Sequence, residues 1–278
     1  MNIRSVIDRI IQMLKYPIRV LYHLARIRKL KNMSGTVLLM LHDINNETRN
    51  LYSLSPGILE KNIKILLAAG FTFVKVSEIV DEMKTGTLKD GKRIAFTCDD
   101  GYQGLYTNGY GLFQKYGIYP TLYLTTEFLN NFSWFSYAKK IPSIISESEA
   151  ITCNGFQRDF LTDDQVIELI RYGVEIGSHS VYHTHLTEIP DELLQEEIMQ
   201  SKQRLEKRYN LEISSFAYPF GDFNKKVRDC AGTQYVSCVT VNSAKVLPQG
   251  NLLEIPRVNM DRDEMSFVHS LYGVLQNN

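Results

Sequence analysis

Arg93-Ile94-Ala95-Phe96-Thr97-Cys98-Asp99-Asp100-Gly101 opens with strand-forming residues and closes with two adjacent carboxylates at a glycine turn. A second stretch, Gly177-Ser178-His179-Ser180-Val181-Tyr182-His183, follows the run Val174-Glu175-Ile176 and sets two imidazoles four residues apart. One carboxylate with two neutral imidazoles is a common ligand set for a catalytic divalent ion, because it leaves positions open for water and substrate. Asp100, His179 and His183 are the candidate ligands, with zinc the expected ion and other transition metals acceptable. Asp99 is then left as a general base. An isolated Asp-Asp-Gly is more often a mere turn, and an isolated His pair a capped loop. Together, each after a strand, they point to a metal-dependent hydrolase.

Outward from these stretches, strand and helix signals alternate. Val37 to Leu41 reads as a buried strand, and Ser55-Pro56 as an N-cap with a first-turn proline. Ile58, Ile63, Leu66 and Leu67 form a helical stripe that Gly70 stops. Phe71 to Val76 reads as a strand, Ser77 to Met83 as a helix, Leu112 to Tyr116 as a helix and Pro120 to Leu124 as a strand. Thr126 to Leu161 has weak periodicity and reads as an insertion or long loop near the site. Thr162-Asp163-Asp164-Gln165 resembles a capping box, and Gly173 ends its helix. Beyond come helix Asp191–Tyr209, strand Ser215–Tyr218, helix Lys225–Ala231, strands Tyr235–Thr240 and Leu253–Arg257, and a final helix from Glu264 to Leu275. This order argues for a parallel sheet covered by helices, with side chains that do chemistry at the C-terminal strand ends.

Thr97-Cys98-Asp99-Asp100-Gly101, His179-Ser180-Val181-Tyr182-His183 and Phe216-Ala217-Tyr218-Pro219-Phe220-Gly221 resemble, in order and spacing, three motifs of the polysaccharide deacetylases (NodB-like, carbohydrate esterase family 4). Leu38-Leu39-Met40-Leu41-His42-Asp43 is similar to the branch acting on poly-N-acetylglucosamine. The resemblance runs from about Gly35 onward. It implies an α/β fold, a distorted (β/α) barrel over residues 35–278, and removal of an N-acetyl group from an amino sugar in a polysaccharide, oligosaccharide or glycolipid. It implies further that His42 is the general acid in place of a late motif histidine; the sole histidine after His185 is His269. The backbone N–H of Phe220 would serve the oxyanion. Tyr218, Pro219 and Trp134 could wall a sugar ring. Many relatives hold the base with an Arg where Ala217 stands here, so Arg257 is a candidate replacement, with a surface salt bridge as the equal alternative. A silent carbohydrate-binding relative, or a metal hydrolase of another amide or ester, would share much of this pattern.

Hydrophobic residues make up 44% of the 278-residue chain and charged ones 22%, ordinary for a chain with a sizeable core. Net charge is zero, yet residues 1–31 hold eight basic side chains against Asp8 alone, so the remainder carries −7. That argues against nucleic acid as a partner. Four cysteines without paired spacing argue against a metal cluster or disulfide scaffold, and Cys98 reads as a buried thiol. No apolar run approaches the ~20 residues of a membrane span, and no signal peptide is evident. The expected location is cytoplasmic, with peripheral attachment at the inner membrane face the open alternative. Residues 1–34 read as a basic amphipathic helical extension: Ile3, Val6, Ile7, Ile10, Leu14, Ile18, Leu21, Tyr22 and Ala25 recur at helical spacing, and Pro17 should kink or break it. The stripe could pack on the barrel, attach to an anionic membrane surface or bind a partner.

Overall fold

The computed structural model describes residue 17 and residues 20–46, 53–130, 159–260 and 263–276. Eight strands build the main sheet: β1 Gly35–Leu41, β2 Thr72–Phe73, β3 Lys92–Cys98, β4 Thr121–Leu124, β5 Glu175–Ser178, β6 Ser215–Ala217, β7 Ser237–Val239 and β8 Arg257–Asn259. Their order is β8-β1-β3-β4-β5-β6-β7, with β2 alongside β3, and every pairing is parallel. The longest ladder runs from Gly35↔Lys92 to Leu41↔Cys98. The sheet nearly closes on itself: the Ile255 N–H donates to the Cys238 carbonyl and the Thr240 N–H to that of Ile255, both at 2.9 Å. This is the parallel sheet covered by helices that the alternation predicts, and the distorted (β/α) barrel that the resemblance implies.

Period-two alternation divides the core into two layers. Leu38, Ala95, Tyr123, Ala217 and Val239 form the inner cluster. Val37, Leu39, Leu41, Ile94, Phe96 and Cys98 face the surrounding helices. The inward parity of Ala95 carries on through Thr97 to Asp99, so polar groups fill the upper barrel where the strands end. Cys98 has the opposite parity, is buried and free, and burial pushes its thiol well up; it packs as a small hydrophobe.

The covering helices are α1 (residues 20–30), α2 Pro56–Ala68, α3 Val76–Thr85, α4 Tyr110–Tyr116, α5 Asp163–Tyr172, α6 Asp191–Gln195, α7 Ser201–Tyr209, α8 Lys225–Gly232 and α9 Glu264–Gln276. Ser55 caps α2 by accepting the Ile58 N–H at 3.2 Å, and Leu59, Ile63 and Leu66 are buried beneath it. Each such side chain contributes about 1.5–3 kcal/mol of burial. Thr162 and Gln165 form the expected capping box of α5, and Gly173 ends it in the left-handed region. The predicted helix Asp191–Tyr209 runs unbroken from α6 to α7 through a widened helical turn, Glu196–Gln200.

Two strand assignments need correction. Phe71–Val76 contracts to Thr72–Phe73, because Val76 is the first residue of α3. Leu253–Arg257 is replaced by Arg257–Asn259. Residues 252–254 turn, and Pro256 lacks the N–H needed to carry a ladder from the Ile255 bridge into β8.

α1 lies against α9. His23 Nε2 is 2.8 Å from Glu264 Oε1, Arg26 sits over the Tyr272 ring, and Leu30 is buried in the core. The Lys92 ammonium, at the start of β3, donates to the Lys31 carbonyl. α9 begins beyond the C-terminal end of β8, so α1 runs from that end of the barrel toward the N-terminal strand ends. Leu21, Tyr22 and Ala25, the described members of the apolar stripe, face away from the barrel. Packing of that stripe on the barrel is therefore corrected for these three residues. Residues 1–16, 18 and 19 lie outside the described residues. Among the described residues, no helix is long and apolar enough to cross a membrane.

Candidate functional site

The sequence-predicted residues converge at the C-terminal strand ends. The Asp99 N–H donates to the Leu41 carbonyl at 2.9 Å and the His179 N–H to that of Leu124 at 2.9 Å, so both ladders run into the site. Among the described residues, Asp100, His179 and His183 form a group whose candidate ligand atoms all lie within 4.8 Å of one another. Asp100 Oδ1 is 3.4 Å from Nε2 of each imidazole, and it is buried without a hydrogen bond of normal geometry. His179 Nδ1 lies 2.8 Å from the Ala217 carbonyl; donation there fixes the tautomer and turns Nε2, as a lone-pair donor, toward the cluster. Burial pushes His183 down to about 4 against the pull of Asp100, so it is a neutral imidazole. Burial works against the charge of Asp100, yet His183 and the neighbouring imidazoles hold its carboxyl below the usual range. Burial disfavours a charged His179, but Asp100 and Asp99 raise its pKa, and a divalent cation between the buried carboxylate and the two imidazole nitrogens would take the place of that proton.

Asp99 sits beside this cluster in a different grip. Arg257 is 1% exposed and donates from both terminal nitrogens to the two Asp99 oxygens, each at 2.7 Å. The same guanidinium donates to Thr97 Oγ1 at 3.0 Å and to the Thr240 carbonyl at 2.9 Å. Burial opposes ionisation of Asp99, but Arg257 holds the carboxyl below its ordinary value. Arg257 is thus a buried partner of Asp99, and the surface alternative is discarded. Ala217 contributes its carbonyl to His179.

His42 follows β1 and stands in register opposite Asp99. Burial lowers its pKa, while Asp100 and Asp99 pull it up, which places it in the field of both carboxylates. Phe220 is 41% exposed; its ring stacks on His185 with centroids 3.9 Å apart and meets His183 edge-on at 4.4 Å. Tyr218 is corrected as a sugar wall. It is buried, stacks on Phe223 and donates its hydroxyl to the Leu253 carbonyl. Pro219 is buried as well, so Phe220 is the exposed aromatic of that segment. Trp134 lies outside the described residues.

Backbone strain gathers here. Among the described residues, six other than glycine have positive φ, and four of them are Asp100, Ser180, His183 and Phe220. Gly101 follows at φ 85°, where a Cβ would lie 2.8 Å from Leu124 Cδ2. Such concentration is typical of sites whose geometry the surrounding fold imposes.

Sequence reading missed Glu197. This buried carboxylate lies in the wide turn between α6 and α7, and its Oε2 accepts the N–H groups of Val181 (2.9 Å) and Tyr182 (3.0 Å). It thereby fastens the loop between the two imidazoles. The signal was present: an acid at helical spacing among Leu194, Ile198, Ser201 and Leu205, all buried.

Residues 87–236, over half of the chain, match the model of the family described as polysaccharide deacetylase. That segment contains Asp99, Asp100, His179, His183 and Phe220, while His42 and Arg257 lie outside it. The Bacillus subtilis (strain 168) protein YxkH is 21% identical over 224 residues, 80% of this chain and 70% of its own. Streptococcus pyogenes deacetylase PplD, solved in complex with acetate, superposes with a TM-score of 0.69 at 20% identity, covering 87% of this chain and 98% of that one. IcaB from Ammonifex degensii gives 0.71 at 19% identity, covering 86% and 97%. Both likenesses are of fold.

Proposed function

From the premise that this chain belongs to the polysaccharide deacetylase family, we propose that it is a metal-dependent N-deacetylase acting on an N-acetylated amino sugar in a glycan or glycolipid. The observation that carries this reading is the Asp100–His179–His183 cluster beside the buried Asp99–Arg257 pair. Asp100, His179 and His183 would hold the ion, and two nitrogens with one oxygen suit zinc. A divalent ion there supplies Lewis-acid polarisation of the acetyl carbonyl and lowers the pKa of water.

The chain's own groups carry the rest. Asp99 takes the proton of the attacking water. Arg257 uses one lone pair on each carboxylate oxygen and leaves the others to accept; it also keeps the base ionised and aimed. The backbone N–H of Phe220 donates to the developing oxyanion. His42 then protonates the departing amine. Burial works against its imidazolium while Asp100 and Asp99 favour it, and an imidazole can carry such a proton near neutral pH. The exposed face of Phe220, braced by His185, offers an apolar surface to a sugar ring.

Elemental analysis together with acetate release from a panel of N-acetylated saccharides and lipid-linked sugars tests the reading. Wild type should hold close to one ion per chain and release acetate. His179→Ala and His183→Ala should lose both. Equal metal content in all three would sink the ligand set, and a metal-loaded wild type inert across the panel would favour the silent binding relative. Glu197→Ala should remove the acceptor shared by the Val181 and Tyr182 N–H groups and weaken metal retention about 10–100-fold, the range seen when groups supporting a metal ligand are lost. Glu197→Gln, which keeps an accepting oxygen, should hold metal nearly as wild type in a chelator competition. Unchanged retention in the alanine variant would remove Glu197 from the metal's support.

A further inference from the structure

α1 has two faces of opposite character. His23, Ile27 and Leu30 turn toward α9 and the core. Leu21, Tyr22 and Leu24 are exposed by 66%, 63% and 55%, among the largest exposures of any apolar side chain described. Arg28 and Lys29 are exposed on the same helix, and Lys31 follows it. An outward apolar face edged by arginine and lysine, on a helix whose other face is already anchored, is the arrangement of a helix lying in a membrane interface.

In the sequence upstream, Ile7, Ile10, Leu14 and Ile18 recur at intervals of three to four residues in phase with Leu21 and Ala25. Charge selects the occupant. Residues 1–31 carry eight basic side chains against one acid, whereas the rest of the chain is net acidic. Apolar contact alone would suit a second copy of the chain, but the positive charge concentrated in this segment of sequence, with Arg28, Lys29 and Lys31 exposed on or just after α1, disfavours self-pairing and favours negative headgroups.

We infer that the exposed face of α1 is a docking surface for an anionic phospholipid bilayer. Flotation of the full chain with vesicles tests this independently of any catalysis. Wild type should float with phosphatidylcholine vesicles containing phosphatidylglycerol and far less with phosphatidylcholine alone. Binding should weaken several-fold near molar salt, where the screening length falls to about 3 Å. The double variant Leu21→Glu/Leu24→Glu should bind about tenfold or more weakly. Leu67→Glu, at an exposed leucine on α2, should bind as wild type and shows that the loss is local. Failure of wild type to float, or equal flotation of the double variant, overturns the assignment. So does a wild-type dimer in light scattering that the double variant abolishes, because a second copy would then be the occupant.

Discussion

Asp99→Asn is expected to keep the metal yet lose about 10²–10⁴-fold in kcat on an N-acetylated sugar, the usual effect of removing a general base. The amide is nearly isosteric, but it cannot take the water's proton. One of its two ends must also present N–H groups to Arg257, which now donates to both oxygens. The variant also leaves the buried Arg257 guanidinium without its anion, and removing one partner of a buried ion pair typically costs about 3–5 kcal/mol, so turnover should be measured well below the variant's melting temperature. Single-turnover kinetics on metal-loaded protein separate the chemical step from binding. Turnover near wild type would show that another group takes the proton.

Arg257→Met is expected to be the most destabilising substitution in the site. It leaves the buried Asp99 carboxylate without its cation, and removing one partner of a buried ion pair typically costs about 3–5 kcal/mol. For a chain of this size that lowers Tm by about 10 °C. Arg257→Lys should recover only part of the loss, since an ammonium cannot bridge both oxygens while also reaching Thr97 and the Thr240 carbonyl. The decisive comparison is Arg257→Met/Asp99→Asn, in which no unpaired charge remains. Its melting temperature should lie above that of Arg257→Met alone. A double variant less stable than Arg257→Met would mean that the arginine acts mainly through packing.

The Asp100–His179–His183 cluster was legible because its residues sit within short segments that follow strands, where local spacing already fixes which groups share a strand end. Asp99 and Thr97 were also within reach, since parity from Ala95 turns both into the barrel. The pairing of Arg257 with Asp99 joins residues 158 positions apart; no local pattern encodes it, and Arg257 became a candidate only because the resemblance called for an arginine that Ala217 cannot supply. Tyr218 was misassigned because the chain leaves β6 into a tight turn with Phe220 at φ 58°, which sends the second aromatic outward and leaves the first inside. The strand at Leu253 failed on Pro256, a residue that blocks a ladder in a run otherwise suited to one. Periodicity identified an apolar face near the N-terminus, but it cannot say what that face touches. Three-dimensional placement was needed to turn Leu21 and Ala25 away from the barrel.

The left-handed residues around the Asp100–His179–His183 cluster set stability against chemistry. Each non-glycine residue held there costs about 1–2 kcal/mol, and Asp100, Ser180, His183 and Phe220 all fall in one small region. Their sum is on the order of the whole net stability of an ordinary protein, about 5–15 kcal/mol. The site can exist only as a cooperative extension of the barrel beneath it, and a peptide carrying the same motif would not hold that shape. Drift toward a more robust protein would begin here, by relaxing these four backbones, and it would arrive at a sturdier barrel that had lost its catalytic end.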